Sequence, residues 1–129
     1  MIGIGIMSGS SLDGLDIVAV SFSEGEKLVW DVVATEAIPL PENVSVALSN
    51  IVEITAMDIL KTESKFSKFV AQSILNFCNQ NNIIPDYVSI HGHTVAHLPD
   101  NNVSWQLLNG GMIAVMTSCL LYTSDAADE

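Results

Sequence analysis

The chain contains no arginine, and its only lysines are Lys27, Lys61, Lys65 and Lys68. Against them stand fifteen Asp and Glu residues, for a formal net charge of −11. Neutralising a nucleic acid backbone takes clustered Lys and Arg, so nucleic acid is excluded as a partner. An anionic membrane surface is excluded for the same reason. No apolar run reaches the length that spans a bilayer. The short apolar opening, residues 1–7, has no basic residue before it and does not read as a secretory signal. Cysteine is scarce too: Cys78 and Cys119 are too few for a disulfide framework. A reducing cytoplasm is the expected setting. What is present is apolar: 49% of residues are hydrophobic and 15% charged. That balance excludes a disordered chain and is enough for one domain with a core.

The apolar residues are arranged in short blocks. Residues 2–7 and 15–22 read as strands flanking a small-residue loop, and residues 28–38 as a third strand. Short connections between them indicate an antiparallel start to a sheet. Pro39 and Pro41 break the pattern, and residues 42–50 read as a short helix. Residues 55–79 form the best helix: Leu60, Phe66, Phe69, Val70, Ile74 and Phe77 recur at helical steps. Thr55 with Asp58 resembles a capping box, with Asp in place of Glu or Gln. A strand at 87–90, a polar loop and a short strand at 104–108 follow. Strands, helix and strand together indicate an α/β class.

The first chemical signal is the loop Ser8-Gly9-Ser10-Ser11-Leu12-Asp13-Gly14. Gly3, Gly5 and Gly9 miss the dinucleotide spacing, and the β-branched run after Gly14 is no amphipathic helix. No lysine completes a Walker loop. Ser10 and Ser11 do not stand in a nucleophile elbow, which weakens a serine hydrolase. The loop therefore reads as a hairpin whose N–H groups and hydroxyls can surround an anion. An ordinary Ser-Gly turn accounts for it as well. Asp13 and Asp16 would repel a bare phosphate, but suit Mg²⁺ held between them and the phosphate, directly or through water. Alternatively Asp13 simply hydrogen-bonds the turn.

The second signal is that all three histidines fall within residues 91–97. His91 and His93, two apart after a strand, point the same way in a regular strand and suit a shared zinc. A metal-dependent hydrolase built on them is one reading. Polar residues satisfied by backbone are the other, and the one favoured for His97.

The run from Gly5 through Ile6, Met7, Ser8, Gly9, Ser10, Ser11, Leu12, Asp13, Gly14 and Leu15 to Asp16 resembles the opening signature of the anhydro-N-acetylmuramic acid kinases, G-x-M-S-G-T-S-x-D-G-x-D, with Ser10 for threonine. The segment from Ile90 to Pro99 resembles that family's S-H-G-Q-T-V-x-H-x-P, with Ile90 for serine and His93 for glutamine. Trp105-Gln106-Leu107-Leu108-Asn109-Gly110 resembles its L-Q-I-G-N-G. Leu108 there replaces a glycine, with strain expected at the turn.

The resemblance covers residues 1 to about 118. It implies an actin-like (ribonuclease H-like) ATPase and sugar kinase fold, of which residues 1–118 would be part of the first domain. The implied activity is ATP-dependent conversion of 1,6-anhydro-N-acetylmuramic acid to N-acetylmuramic acid 6-phosphate, in cytoplasmic peptidoglycan recycling. Gly9, Ser10, Ser11, Leu12, Asp13, Gly14, Leu15 and Asp16 would hold the nucleotide phosphates, and Asp13 and Asp16 would help place Mg²⁺. His93 and Thr94 would line the sugar side. The partner would be a small anhydro-amino sugar, with room for a homodimer of the full-length protein. The family's catalytic base is an aspartate well downstream, matched by no residue here, so the chain is expected to be a truncated, inactive piece. A non-catalytic nucleotide-binding fragment is the remaining alternative. Residues 119–129 do not resemble the family's continuation. They are expected to be non-native or disordered and to add nothing to the core.

Overall fold

In the computed structural model, residues 1–9, 11–23, 25 and 28–123 are described. Strands β1 (Ile2–Ser8), β2 (Gly14–Ser23) and β3 (Val29–Pro39) form an antiparallel meander. Alternate side chains leave opposite faces of a strand. Ile4 and Ile6 of β1 therefore share a buried face with Leu15, Ile17 and Ala19 of β2.

Helices α1 (Glu42–Ser49) and α2 (Ala56–Asn81) then cross over the sheet. At the start of α2 the Thr55 hydroxyl accepts from the Asp58 N–H at 3.2 Å. The same hydroxyl donates to the Asp58 carboxylate at 2.8 Å. Asp58 thus supports the cap through the hydroxyl rather than through the Thr55 backbone. The helix runs two residues past the expected end. It stops where Asn82 adopts φ 54° and Ile83 N–H reaches the Cys78 carbonyl at 2.9 Å.

The crossover returns β4 (Tyr87–Leu98) parallel to β1, as parallel neighbours require. β5 (Val103–Leu107) folds back antiparallel on β4 after a single 3-10 turn. Helix α3 (Gly110–Thr117) and strand β6 (Leu120–Thr123), parallel to β4, follow. The sheet order is β3-β2-β1-β4-β5, with β6 also on β4. Phe66, Val70, Ile74 and Phe77 of α2, Val44 and Leu48 of α1 and Ile113 of α3 close on Ile4, Ile6, Leu15, Ile17, Val88 and Ile90. Among the described residues the helices cover this one face, and the other stays bare.

Three expectations need correction. The polar stretch after Ile90 is strand, not loop. Backbone pairing to β5 from His93 to Leu98, and to Ser8 of β1 at His93, makes it strand whatever the polarity of its side chains. The stretch from Cys119 is not outside the fold either. Leu120 to Thr123 pair with Tyr87 to Ile90, and Cys119 and Leu121 pack against the core. Tyr122 meets Tyr87 edge-on at 5.9 Å. An unfilled β4 edge and three apolar residues in a row are enough to make a strand there. The same expectation for residues 124–129 falls outside the described residues. Leu108 keeps a negative φ, so the strain expected there is absent.

Candidate functional site

The loop that follows β1 is a hairpin, as its sequence indicates. Ser8 pairs with Leu15 and Met7 with Asp16 across it. The Leu12 N–H reaches the Gly9 carbonyl at 3.3 Å, and Leu12 itself sits at φ 58°. Ser11 Oγ donates to Asp13 Oδ1 at 2.8 Å, so the Asp13 carboxylate does brace the turn. Ser10 lies outside the described residues. Gly14 has a packing reason to be glycine: a Cβ there would stand 2.4 Å from the Ile38 carbonyl oxygen of β3. Leu15 is fully buried, so within the predicted phosphate set it can offer only backbone. Leu12 leans on the core as well.

Asp16 points to the bare face. It lines a groove of about 560 Å³ with Gly5, Met7, Val18, Thr35 and Glu36. A smaller hollow of about 280 Å³ holds both Asp13 and Asp16, beside Gly14 and Pro39. The two depressions meet at Asp16 and Ala37. Two carboxylates on one hollow, with no lysine among its lining residues, fit a hard cation such as Mg²⁺.

The histidine segment behaves differently from its reading. Ile6 pairs with Ile90, but Ser8 pairs with His93, so β4 carries one extra residue between these positions. Gly92, at φ 88°, supplies the bulge. The extra residue reverses the alternation. His93 turns into the core, 4% exposed and edge-on to Phe66 at 6.2 Å, while His91 stays on the other side of the strand. The two imidazoles that suited a shared zinc are therefore parted. Among the described residues no three His, Cys, Asp or Glu side chains gather as a metal site. Burial pushes the His93 pKa down. Thr94, the next residue, leaves the opposite face, and its Oγ1 lies 2.7 Å from Gln106 Oε1. His93 and Thr94 are thus not brought to one surface. His97 is exposed near the strand end.

Register brings together what the chain separates. Ser8 ends β1 beside His93 of β4, and His93 pairs in turn with Leu107 of β5. Just beyond Leu107, Asn109 caps α3, its Oδ1 accepting from Met112 N–H at 2.9 Å. Its own N–H donates to Ser67 Oγ of α2 at 2.9 Å. The three sequence motifs thus meet at one end of the sheet. Ser8 and Gln106 are contributors that sequence reading did not single out. Both lie inside the quoted motifs, but only the register shows what they face.

Residues 1–125 match the family described as anhydro-N-acetylmuramic acid kinase. Proteins of that name from Pseudomonas syringae pv. tomato and pv. syringae are 35% and 32% identical to the chain over 120 residues. Each of these matches covers 88% of the chain and 32% of the relative. The one from Haemophilus influenzae is 28% identical over 115 residues, 84% of the chain and 29% of the relative. The chain spans about a third of the length of the curated relatives it matches.

Proposed function

Since the chain belongs to the anhydro-N-acetylmuramic acid kinase family, whose fold is the actin-like one, we propose that it supplies one wall of an ATP-dependent sugar kinase site. In this reading the γ-phosphoryl group of ATP passes to O6 of 1,6-anhydro-N-acetylmuramic acid while water opens the anhydro bridge. The products are ADP and N-acetylmuramic acid 6-phosphate, and the reaction belongs to cytoplasmic recycling of cell-wall sugars. Positioning and charge neutralisation dominate such transfers.

The observation that carries this reading is the meeting of the three motifs at one end of the sheet, beside a hollow holding two carboxylates. The backbone of Gly9 to Gly14 holds phosphate oxygens. Asp16 faces the hollow directly, and Asp13 does so while held by Ser11. A bound Mg²⁺, held by Asp13 and Asp16, would supply the positive charge that the lining of the hollow lacks. Thr94, held by Gln106, orients the sugar. No residue of the chain is assigned as the base that activates water, so binding, not turnover, is the informative readout.

The test is calorimetric titration of the purified chain with ATP in the presence and absence of Mg²⁺. Saturable binding that needs Mg²⁺ and weakens at least tenfold in Asp16→Asn is expected. Binding indifferent to both Mg²⁺ and Asp16 would remove the proposed role of the hollow.

A further inference from the structure

Ser8 Oγ, His93 Nδ1 and, on the other side of β4, His91 Nε2 are buried without a hydrogen-bond partner among the described residues; the first two face the core. Ser8 is 5% and His93 4% exposed. They are register partners on adjacent strands and share the core face. Around them stand Leu107 from β5 and Phe66 from α2. Neither neighbour carries a charge or a polar side-chain atom.

A buried polar group left unsatisfied costs about 1–3 kcal/mol. Two such groups on register-partner residues of adjacent strands, of complementary kind, can offer each other the remedy. A serine hydroxyl donates, and the unprotonated nitrogen of a neutral imidazole accepts. Burial in apolar surroundings keeps the ring neutral, as that remedy requires.

We propose that Ser8 and His93 are a positioning pair. Rotation of the Ser8 side chain about its Cα–Cβ bond, carrying Oγ onto His93 Nδ1, ties the start of the glycine-serine loop to the bulged strand of the second motif. The tie fixes His93 as the tautomer protonated at Nε2. His93 then acts through Ser8 on the loop, not as a contact to the sugar. The bulge at Gly92 is what makes the pair, because without the extra residue the histidine would leave the other face. The pair itself is independent of the proposed function. Only what it positions rests on that reading.

The experiment is nitrogen-detected NMR of the imidazole rings in the whole 129-residue chain, assigned with His93→Gln. The expected result is a single Nε2–H tautomer for His93, with an Nδ1 resonance that moves in Ser8→Ala and returns towards its original position in Ser8→Thr. Alongside it, Ser8→Ala should weaken Mg²⁺–ATP binding by roughly two- to tenfold, the worth of one hydrogen bond, with recovery in Ser8→Thr. A His93 ring protonated at Nδ1 in the unsubstituted chain overturns the proposal. So does an Nδ1 resonance indifferent to Ser8→Ala. If the unsubstituted chain binds no nucleotide, the functional reading falls, and the tautomer alone still decides the pair.

Discussion

The two faces of the sheet differ in kind. One is closed by three helices over Ile4, Ile6, Leu15, Ile17, Val88 and Ile90, and polar groups there are few and confined. The other carries Gly5, Met7, Asp16, Val18 and Thr35 around an open groove, with Met7 59% exposed. Strand alternation alone sorts the side chains between them. The lesson is that stability and chemistry are divided by face. A residue of β1 or β2 belongs to the core or to the site according to the parity of its number. Ser8 and His93 are the exception, polar groups on the closed side at the end where the site lies.

The sharpest way to break this division is to substitute matched residues on the two sides. Phe66→Ala on the closed face should cost about 3–5 kcal/mol, read as a shift of the urea unfolding midpoint. A loss under about 1 kcal/mol would mean that the helix layer is not what holds the sheet.

Acid offers the second test. The His93 pKa is held below its ordinary value by burial, so the unfolded chain takes up the proton first. Stability is complete above the ordinary histidine value of 6.5 and falls as pH drops below it. Asp58, held low by the Thr55 hydroxyl and then by Lys61, loses its contribution only as pH falls below 3.8, so the two windows separate. Melting temperature against pH should therefore slope downward below the histidine range, and His93→Gln should flatten that slope.

The smallest effect belongs to the bare face. Met7→Ala should change stability by no more than about 0.5 kcal/mol. A larger loss in the same urea titration would show that the groove side carries packing of its own.

Much of this was legible in the sequence. The meander follows from β-branched blocks split by a small-residue loop, and α2 from the spacing of Phe66, Val70, Ile74 and Phe77 and from its Thr55 cap. These are local patterns, decided within a few residues. The histidine segment was misread because one bulge residue reverses which face every later side chain takes, and no spacing rule announces it. Gly92 was the available signal: a glycine inside a strand pattern often marks a bulge. Strand β6 was missed because four residues are too few to show alternation, and what makes them a strand is a vacant edge elsewhere in the chain. The site's assembly was invisible for a similar reason. Motifs far apart in sequence become neighbours only through the register of β4 against β1 and β5.

That register also sets an order of events during synthesis. The Asp86 carboxylate accepts from the Ile2 N–H across 84 residues of chain. At a ribosomal pace of about 5–20 residues per second, the partner of β1 emerges on the order of ten seconds after β1 itself. Through that interval the meander exists with an unpaired apolar edge, and the helices that seal it are still arriving. Slow, long-range pairing of this kind is the part of a fold most open to aggregation. The exposure of this edge therefore closes only when β4 leaves the ribosome and docks on β1.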